Sequence, residues 1–300
     1  MTAVTESTAG PAGDHAPASS QEPPPEGLTG LARWARERID ARAVDMNDEE
    51  LARPAVVFAP HQDDETLGCG ATILQKRANG AEIAVVFLTD GRQSHHQCGP
   101  VADLIARRAA EGREAARRLG VAATEVVQLG FTDGTLNANL QSAHAAGQEI
   151  LRQRQPAQVF VTHHRDRKAD HVAAARAVRA AVAGACPDAT VYEYPVWAWQ
   201  HWPFARWSDL AQQSAGERLR TTLRIWRALR RGELTRVALG ECRAAKWRAL
   251  TAHASQVART PAQPDWPVLG DVWGGGFLRC FFHQYEIFTR TRGRDLTATL

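Results

Sequence analysis

The sequence predicts an α/β fold, a mainly parallel sheet held between layers of helices. Three observations predict it. Short apolar runs recur along the chain and alternate with helix-forming stretches. The runs are continuous rather than alternating polar with apolar, as strands covered on both faces require. Acids and histidines gather in the loops that follow the runs, on the edge where such sheets bind ligands.

In chain order, residues 1–27 are rich in Ala, Ser, Thr, Pro, Gly and Glu and end in Pro23-Pro24-Pro25. Almost nothing there can be buried, so a disordered tail is expected. Leu28 to Arg42 predicts a helix with Leu31, Trp34 and Ile39 as its apolar stripe, and Asn47-Asp48-Glu49-Glu50 caps a further turn. Strands are expected at 55–59, 82–88, 124–129, 157–161 and 190–193. Helices are expected between them at 66–79, 101–119, 138–153 and 170–184. Helices between strands imply parallel pairing through right-handed crossovers, hence a Rossmann-like three-layer sandwich. One domain spanning 28–300 is expected, with a helical insertion at about 197–238.

The period changes after residue 194. Trp197, Trp199, Trp202 and Trp207 fall close together with two prolines. They would stack on sugar faces at a pocket rim or pack a lid onto the core. Residues 217–237 carry a helical pattern in which Leu219, Leu223 and Trp226 form a stripe among seven arginines. Docking of that stripe on the domain is the first expectation. A surface for anionic lipid or a phosphorylated glycan is the second. A helix over 240–256 and an apolar segment over 277–288 complete the chain.

At 44% hydrophobic and 23% charged, the 300 residues are ordinary globular material. A net charge of +3 is too weak to imply nucleic acid by itself. Five scattered cysteines without a CxxC fit a reducing, cytoplasmic compartment. No apolar run reaches the roughly 18 residues of a membrane span, and no secretory leader pattern opens the chain. A homo-oligomer is left open.

The chemistry concentrates in Pro60-His61-Gln62-Asp63-Asp64-Glu65. His61 and Asp64 are three apart and need a third ligand to hold zinc with one position open for water. His171, in the loop and helix start after the fourth strand, is the best candidate. His-Asp-His plus water is a hydrolytic zinc site, with Asp63 placed to act as general base. The bland alternative is that these acids only cap the following helix.

The same residues resemble a family. Residues 60–65 are similar to the (A/P)HPDDE signature of the PIG-L/LmbE-like zinc-dependent N-acetylglucosaminyl deacetylases. Leu88-Thr89-Asp90-Gly91, Arg108-x-x-Glu111 before Leu119-Gly120, Phe131-Thr132-Asp133-Gly134 and Asp170-His171 resemble its later motifs in order. Lys246-x-x-Ala249-x-x-x-His253-x-Ser255-Gln256 and Tyr285-Glu286-x-Phe288 resemble its C-terminal ones. The resemblance runs from about 53 to 290. It implies Zn2+ on His61, Asp64 and His171, Asp63 as base, and Arg108 and Asp133 near sugar hydroxyls. It also raises His253 as a site residue.

Two positions depart from the pattern. Gln62 replaces a proline, and Lys168 stands where the family's HPDH motif begins with a histidine that supports the oxyanion. Lys168 can supply a point charge there. Otherwise His163, His164 or His253 would have to reach in. Expected overall is removal of an N-acetyl group from an amino sugar or its conjugate, a small-molecule partner. Two rivals stand beside it. One is hydrolysis of another amide, such as a thiol-sugar conjugate or an antibiotic intermediate. The other is a metal-bearing glycan-binding protein without turnover.

Overall fold

The computed structural model describes residues 30–94, 100–200, 233–259 and 264–296, with isolated positions outside these ranges. Apart from Pro24, the expected N-terminal tail lies outside the described residues, as do His95, His96, Trp202, Trp207 and Trp226.

The helices are α1 (Gly30–Asp40), α2 (Asp48–Leu51), α3 (Asp64–Ala78), α4 (Val101–Arg118), α5 (Leu140–Arg154), α6 (Ala169–Ala185), α7 (Cys242–Leu250), α8 (Ala254–Val257) and α9 (Gly276–Phe281). The strands are β1 (Val44–Asp45), β2 (Ala55–Ala59), β3 (Ile83–Thr89), β4 (Val126–Phe131), β5 (Gln158–Thr162), β6 (Thr190–Tyr194), β7 (Glu233–Ala238) and β8 (Tyr285–Arg292). They form one sheet in the order β1-β7-β8-β6-β5-β2-β3-β4. Pairing is parallel except where β8 runs antiparallel to β6 and β7.

The five expected strands are all present, each within two residues of its predicted bounds. Their side chains alternate between two apolar layers. Val57, Phe160, Tyr192 and Phe288 face α3, α7 and α9. Val56, Phe58, Val159 and Val191 face α5 and α6. Both faces are therefore dry, which is why each run is apolar throughout.

Helix α3 lies unusually close to its neighbours. A Cβ on Gly68 would stand 2.2 Å from Tyr194 Cδ2, and one on Gly70 2.9 Å from Lys246 Cγ. Each glycine costs a helix interior about 1 kcal/mol relative to alanine, and the close packing offsets it. Lys246 is fully buried there. Its ammonium donates to Glu286 Oε1 at 2.8 Å and to the Leu67 and Phe281 carbonyls at 2.9 Å. Glu286 in turn accepts from the Ala71 and Thr72 amides at 2.8 Å. A buried ion pair is tolerated only when its remaining donors and acceptors are satisfied in this way.

Four expectations are corrected. The basic helix does not run to 237, because Glu233–Ala238 is strand β7, paired antiparallel with β8. Gly232 breaks the helical pattern, and the β-branched Thr235 and Val237 suit a strand. Leu219 and Leu223 are exposed rather than docked. The helix over 240–256 is two helices, divided at His253, whose ring is drawn inward to Glu65. In α1, Leu31 and Trp34 are exposed, and the buried face carries Ala35, Arg36 and Ile39. Arg36 can be buried because Asp40 and the Cys280 and Tyr285 carbonyls accept from its guanidinium.

Candidate active site

Strands β2 and β5 are neighbours, and the chain winds outward from them in opposite directions, through β3 and β4 on one side and β6 on the other. A crevice opens beyond the carboxyl ends of strands at such a reversal. The loop after β2 brings His61, Asp63 and Asp64 to it. The loop after β5 brings Asp166, Lys168, Asp170 and His171. Asp133 follows β4, and Arg108 reaches in from α4.

His61 Nδ1 lies 3.2 Å from Asp64 Oδ2. His171 Nε2 lies 3.3 Å from the same oxygen and 3.3 Å from His61 Nδ1. Zinc bonds of about 2.0–2.1 Å in tetrahedral geometry separate ligands by about 3.3 Å, so three corners of such a site are already set. The far ring nitrogens also face carboxylates. His171 Nδ1 lies 3.1 Å from Asp166, and His61 Nε2 lies 3.0 Å from Asp133 and 3.6 Å from Asp170. A metal on the near nitrogens would leave the ring protons on these far ones, where a carboxylate accepts them. The two near nitrogens converge on one carboxylate oxygen, a point where positive charge is favoured. Carboxylate-backed histidines are the usual support of metal ligands. The donor set therefore fits a divalent metal.

The surrounding acids favour positive charge at this point, whether a proton or a metal carries it. Burial opposes charge on His61, but Asp133, Asp170 and Asp64 outweigh it and hold its pKa well above the ordinary value. Burial would raise Asp64, yet His171 and His61 bring it below the usual range. Asp133 falls to about 2 against burial, chiefly through His61.

Asp63 is set apart from these ligands. Its φ of +146° is costly for a residue other than glycine, the kind of strain that clusters at functional sites. Glu65 holds the turn by accepting the Asp63 amide at 3.0 Å. The other Glu65 oxygen faces His253 Nε2 at 2.8 Å. Burial raises the Asp63 carboxyl to about 6, with the Arg108 guanidinium opposing. Arg108 Nη2 lies 3.7 Å from Asp63 Oδ1 and donates to the Gln62 carbonyl at 2.7 Å. Its Nε and Nη1 are buried and find no acceptor among the described residues.

A cavity of about 220 Å³ opens onto His61, Asp63, Arg108, Asp133, Lys168 and Trp197. Of the candidate site residues, all but His253 and His171 line it. His171 lies fully buried behind Asp64, and His253 lies beneath the loop. His163 and His164 stack on each other at 4.5 Å, and His164 pairs with Glu193. Neither lines the cavity. Trp197, one of the four tryptophans expected at a rim or in a lid, borders the cavity, and Asp166, to which the sequence reading gave no role, touches His171. Asp166 could have been suspected as a further acid in the loop that ends at His171.

The family profile described as PIG-L, GlcNAc-PI de-N-acetylase, matches residues 56–182. An uncharacterized deacetylase of Escherichia coli (strain K12) is 31% identical over 145 residues, covering 47% of this chain and 73% of the relative. The chain belongs to the PIG-L family. It is accordingly a hydrolase of carbon–nitrogen bonds other than peptide bonds, of the amino-sugar de-N-acetylase type. Solved structures share the fold of this PIG-L deacetylase. An N,N'-diacetylchitobiose deacetylase from Pyrococcus horikoshii aligns with a TM-score of 0.60 at 18% identity, over 89% of this chain and 95% of that one. A deacetylase of the teicoplanin biosynthetic pathway aligns with a TM-score of 0.56 at 18% identity, over 80% of this chain and 98% of that one. Among the described residues, no helix is long and apolar enough to cross a membrane.

Proposed function

We propose that this PIG-L deacetylase is zinc-dependent and removes the N-acetyl group of an amino sugar or a small amino-sugar conjugate, leaving acetate and a free amine. The observation that carries the reading is the triangle of His61 Nδ1, Asp64 Oδ2 and His171 Nε2, with edges of 3.2, 3.3 and 3.3 Å. These three residues would hold the ion, which supplies Lewis acidity and a water acidified to near neutrality.

The chain's own residues do the rest. Asp63 takes the proton of the attacking water and returns it to the leaving nitrogen. Lys168 presents an ammonium toward the acetyl oxygen as negative charge develops on it. Arg108 offers its unpartnered N–H groups to the sugar. Asp133 borders the cavity and orients His61. His253 acts beneath the loop, through Glu65. A cavity of about 220 Å³ suits one sugar ring with its acyl group.

The test is acetate release from a panel of N-acetylated amino sugars by zinc-loaded protein. Release that Asp63→Ala abolishes while zinc content stays at one per chain supports the reading. No release from any amide at full zinc occupancy sinks it.

A further inference from the structure

Lys168 sits at the start of α6, and no carboxylate among the described residues pairs with its ammonium. A lysine so placed sweeps many rotamers on its four-carbon stem, and a charge that wanders stabilises little. One contact restrains it. Lys168 Nζ stands 4.8 Å from the ring centroid of Trp197.

Trp197 is itself held through its backbone and through one face of its ring. The amides of Val196 and Trp197 both donate to Asp166 Oδ2 at 3.1 Å. The same carboxylate oxygen holds the metal-side histidine, His171. Phe277 stacks on the indole at 4.6 Å with a 22° tilt, and Trp273 packs edge-on against Phe277 at 5.6 Å. A ring at that spacing covers the face it stacks on, so the ammonium takes the other. Trp197 therefore offers no open face to a sugar, although it borders the cavity. Arg108, the other cation on the cavity wall, is tied back to the Gln62 carbonyl beside Asp63.

We infer that Trp197 is a positioning residue for hydrolysis: it holds the Lys168 ammonium at the cavity rim, where that cation faces the developing oxyanion. The inference rests on the proposed role of Lys168. The indole stands in for the restraint that a histidine at this position obtains from its short side chain. The indole's quadrupole attracts a cation over its face, enough to favour one rotamer family. Because Asp166 carries both His171 and the Trp197 backbone, ligand and ammonium share one anchor.

The experiment uses the full chain with zinc, and the amino sugar of the panel that it turns over fastest. Lys168→Ala is expected to lower kcat about 100-fold with KM changed less than threefold, as removal of an oxyanion donor does. Trp197→Leu is expected to lower kcat about tenfold with KM similarly unmoved, and Trp197→Phe to keep most of the rate. The double variant should be no slower than Lys168→Ala alone, because both changes remove one interaction. Crystal structures give a second readout, with the Lys168 side chain ordered on the indole in the wild type and displaced in Trp197→Leu. A Trp197→Leu loss that adds in full to the Lys168→Ala loss, or one that falls on KM, overturns the inference. So does an ammonium that keeps its place without the indole. Full activity of Lys168→Ala overturns it too, while leaving the deacetylase reading standing. Failure of the wild type on every amide removes the proposed function itself, and the crystal readout still decides whether Trp197 places Lys168.

Discussion

Glu65 Oε1 lies 2.8 Å from His253 Nε2, with both side chains wholly buried and 188 residues apart in sequence. The other oxygen of Glu65 holds the Asp63 amide. His253→Ala would remove one of the two groups at that first oxygen, Oε1, in a dry site and leave Thr66 Oγ1, at 2.5 Å, as its remaining donor. Hydrogen bonds to charged groups contribute about 1.5–3 kcal/mol, so stability should fall by about that amount in urea unfolding. Activity should fall further than the folded fraction explains, since the strained Asp63 turn loosens, while the metal content of the folded protein stays unchanged. Loss of metal in this variant would show that His253 supports the ligands instead.

Asp166 Oδ2 lies 3.1 Å from His171 Nδ1, the ring nitrogen away from the proposed metal. Removing such a carboxylate behind a metal-binding histidine typically weakens affinity about 10–100-fold. Asp166→Ala should show a loss in that range when zinc is titrated against a competing chelator. An unchanged dissociation constant would remove His171 from the proposed ligand set or show its ring held by other contacts.

Acid should destabilise the fold through a pair outside the proposed ligand triad. Burial pushes His163 down to about 4 from an ordinary 6.5. Between those values the unfolded chain binds a proton that the folded chain refuses. Stability is therefore complete above pH 6.5 and declines as pH falls toward 4, by an amount on the order of 3 kcal/mol. Glu193 extends the decline. Burial works to raise it, but His164, His163 and Arg179 bring it to about 2 from an ordinary 4.5. Its share is lost as pH falls from 4.5 toward 2. Comparing unfolding free energies of wild type and His163→Gln across pH 4–7 isolates the first part, and equal slopes in the two proteins would contradict it.

Gly68→Ala places a methyl 2.2 Å from the Tyr194 ring, which is pinned by its hydroxyl donating to the Phe58 carbonyl at 2.8 Å. Neither side can yield cheaply. Overpacking of this kind costs about 1–3 kcal/mol or more, against the gain of up to about 1 kcal/mol that alanine usually brings to a helix. A net loss in thermal or urea unfolding is expected, and a net gain would show that α3 can shift.

The strands and the convergence of His61, Asp64 and His171 were readable because they depend on local pattern. Apolar runs report burial on both faces, and a His-x-x-Asp at a strand end reports a loop on the ligand side of the sheet. What was not readable depends on pairing at a distance. Asp166 gains its role only because β5 and β6 adjoin, which brings the Val196 and Trp197 amides to its carboxylate. Arg36 lay outside the expected stripe of its helix, and it is buried because the Cys280 and Tyr285 carbonyls, more than 240 residues away, supply acceptors. Strand β7 was hidden because the arginine spacing upstream runs on past Gly232. Lys246 and Glu286 were recognised as family signatures, but only the structure shows them bonded to each other and to α3.

That last bond bears on how the chain can be divided. All three proposed metal ligands fall before residue 172, inside the segment that the family profile covers. Yet the helix that starts at Asp64 is bolted by Glu286 and Lys246 to elements encoded after residue 240, and strands β7 and β8, which lie between β1 and β6 in the sheet, come after residue 232. A trimmed version ending near residue 195 would keep every ligand and lose the clamp that seats them. The minimal catalytic unit therefore includes both ends of this region, and random truncation libraries should recover no active fragment that lacks Glu286.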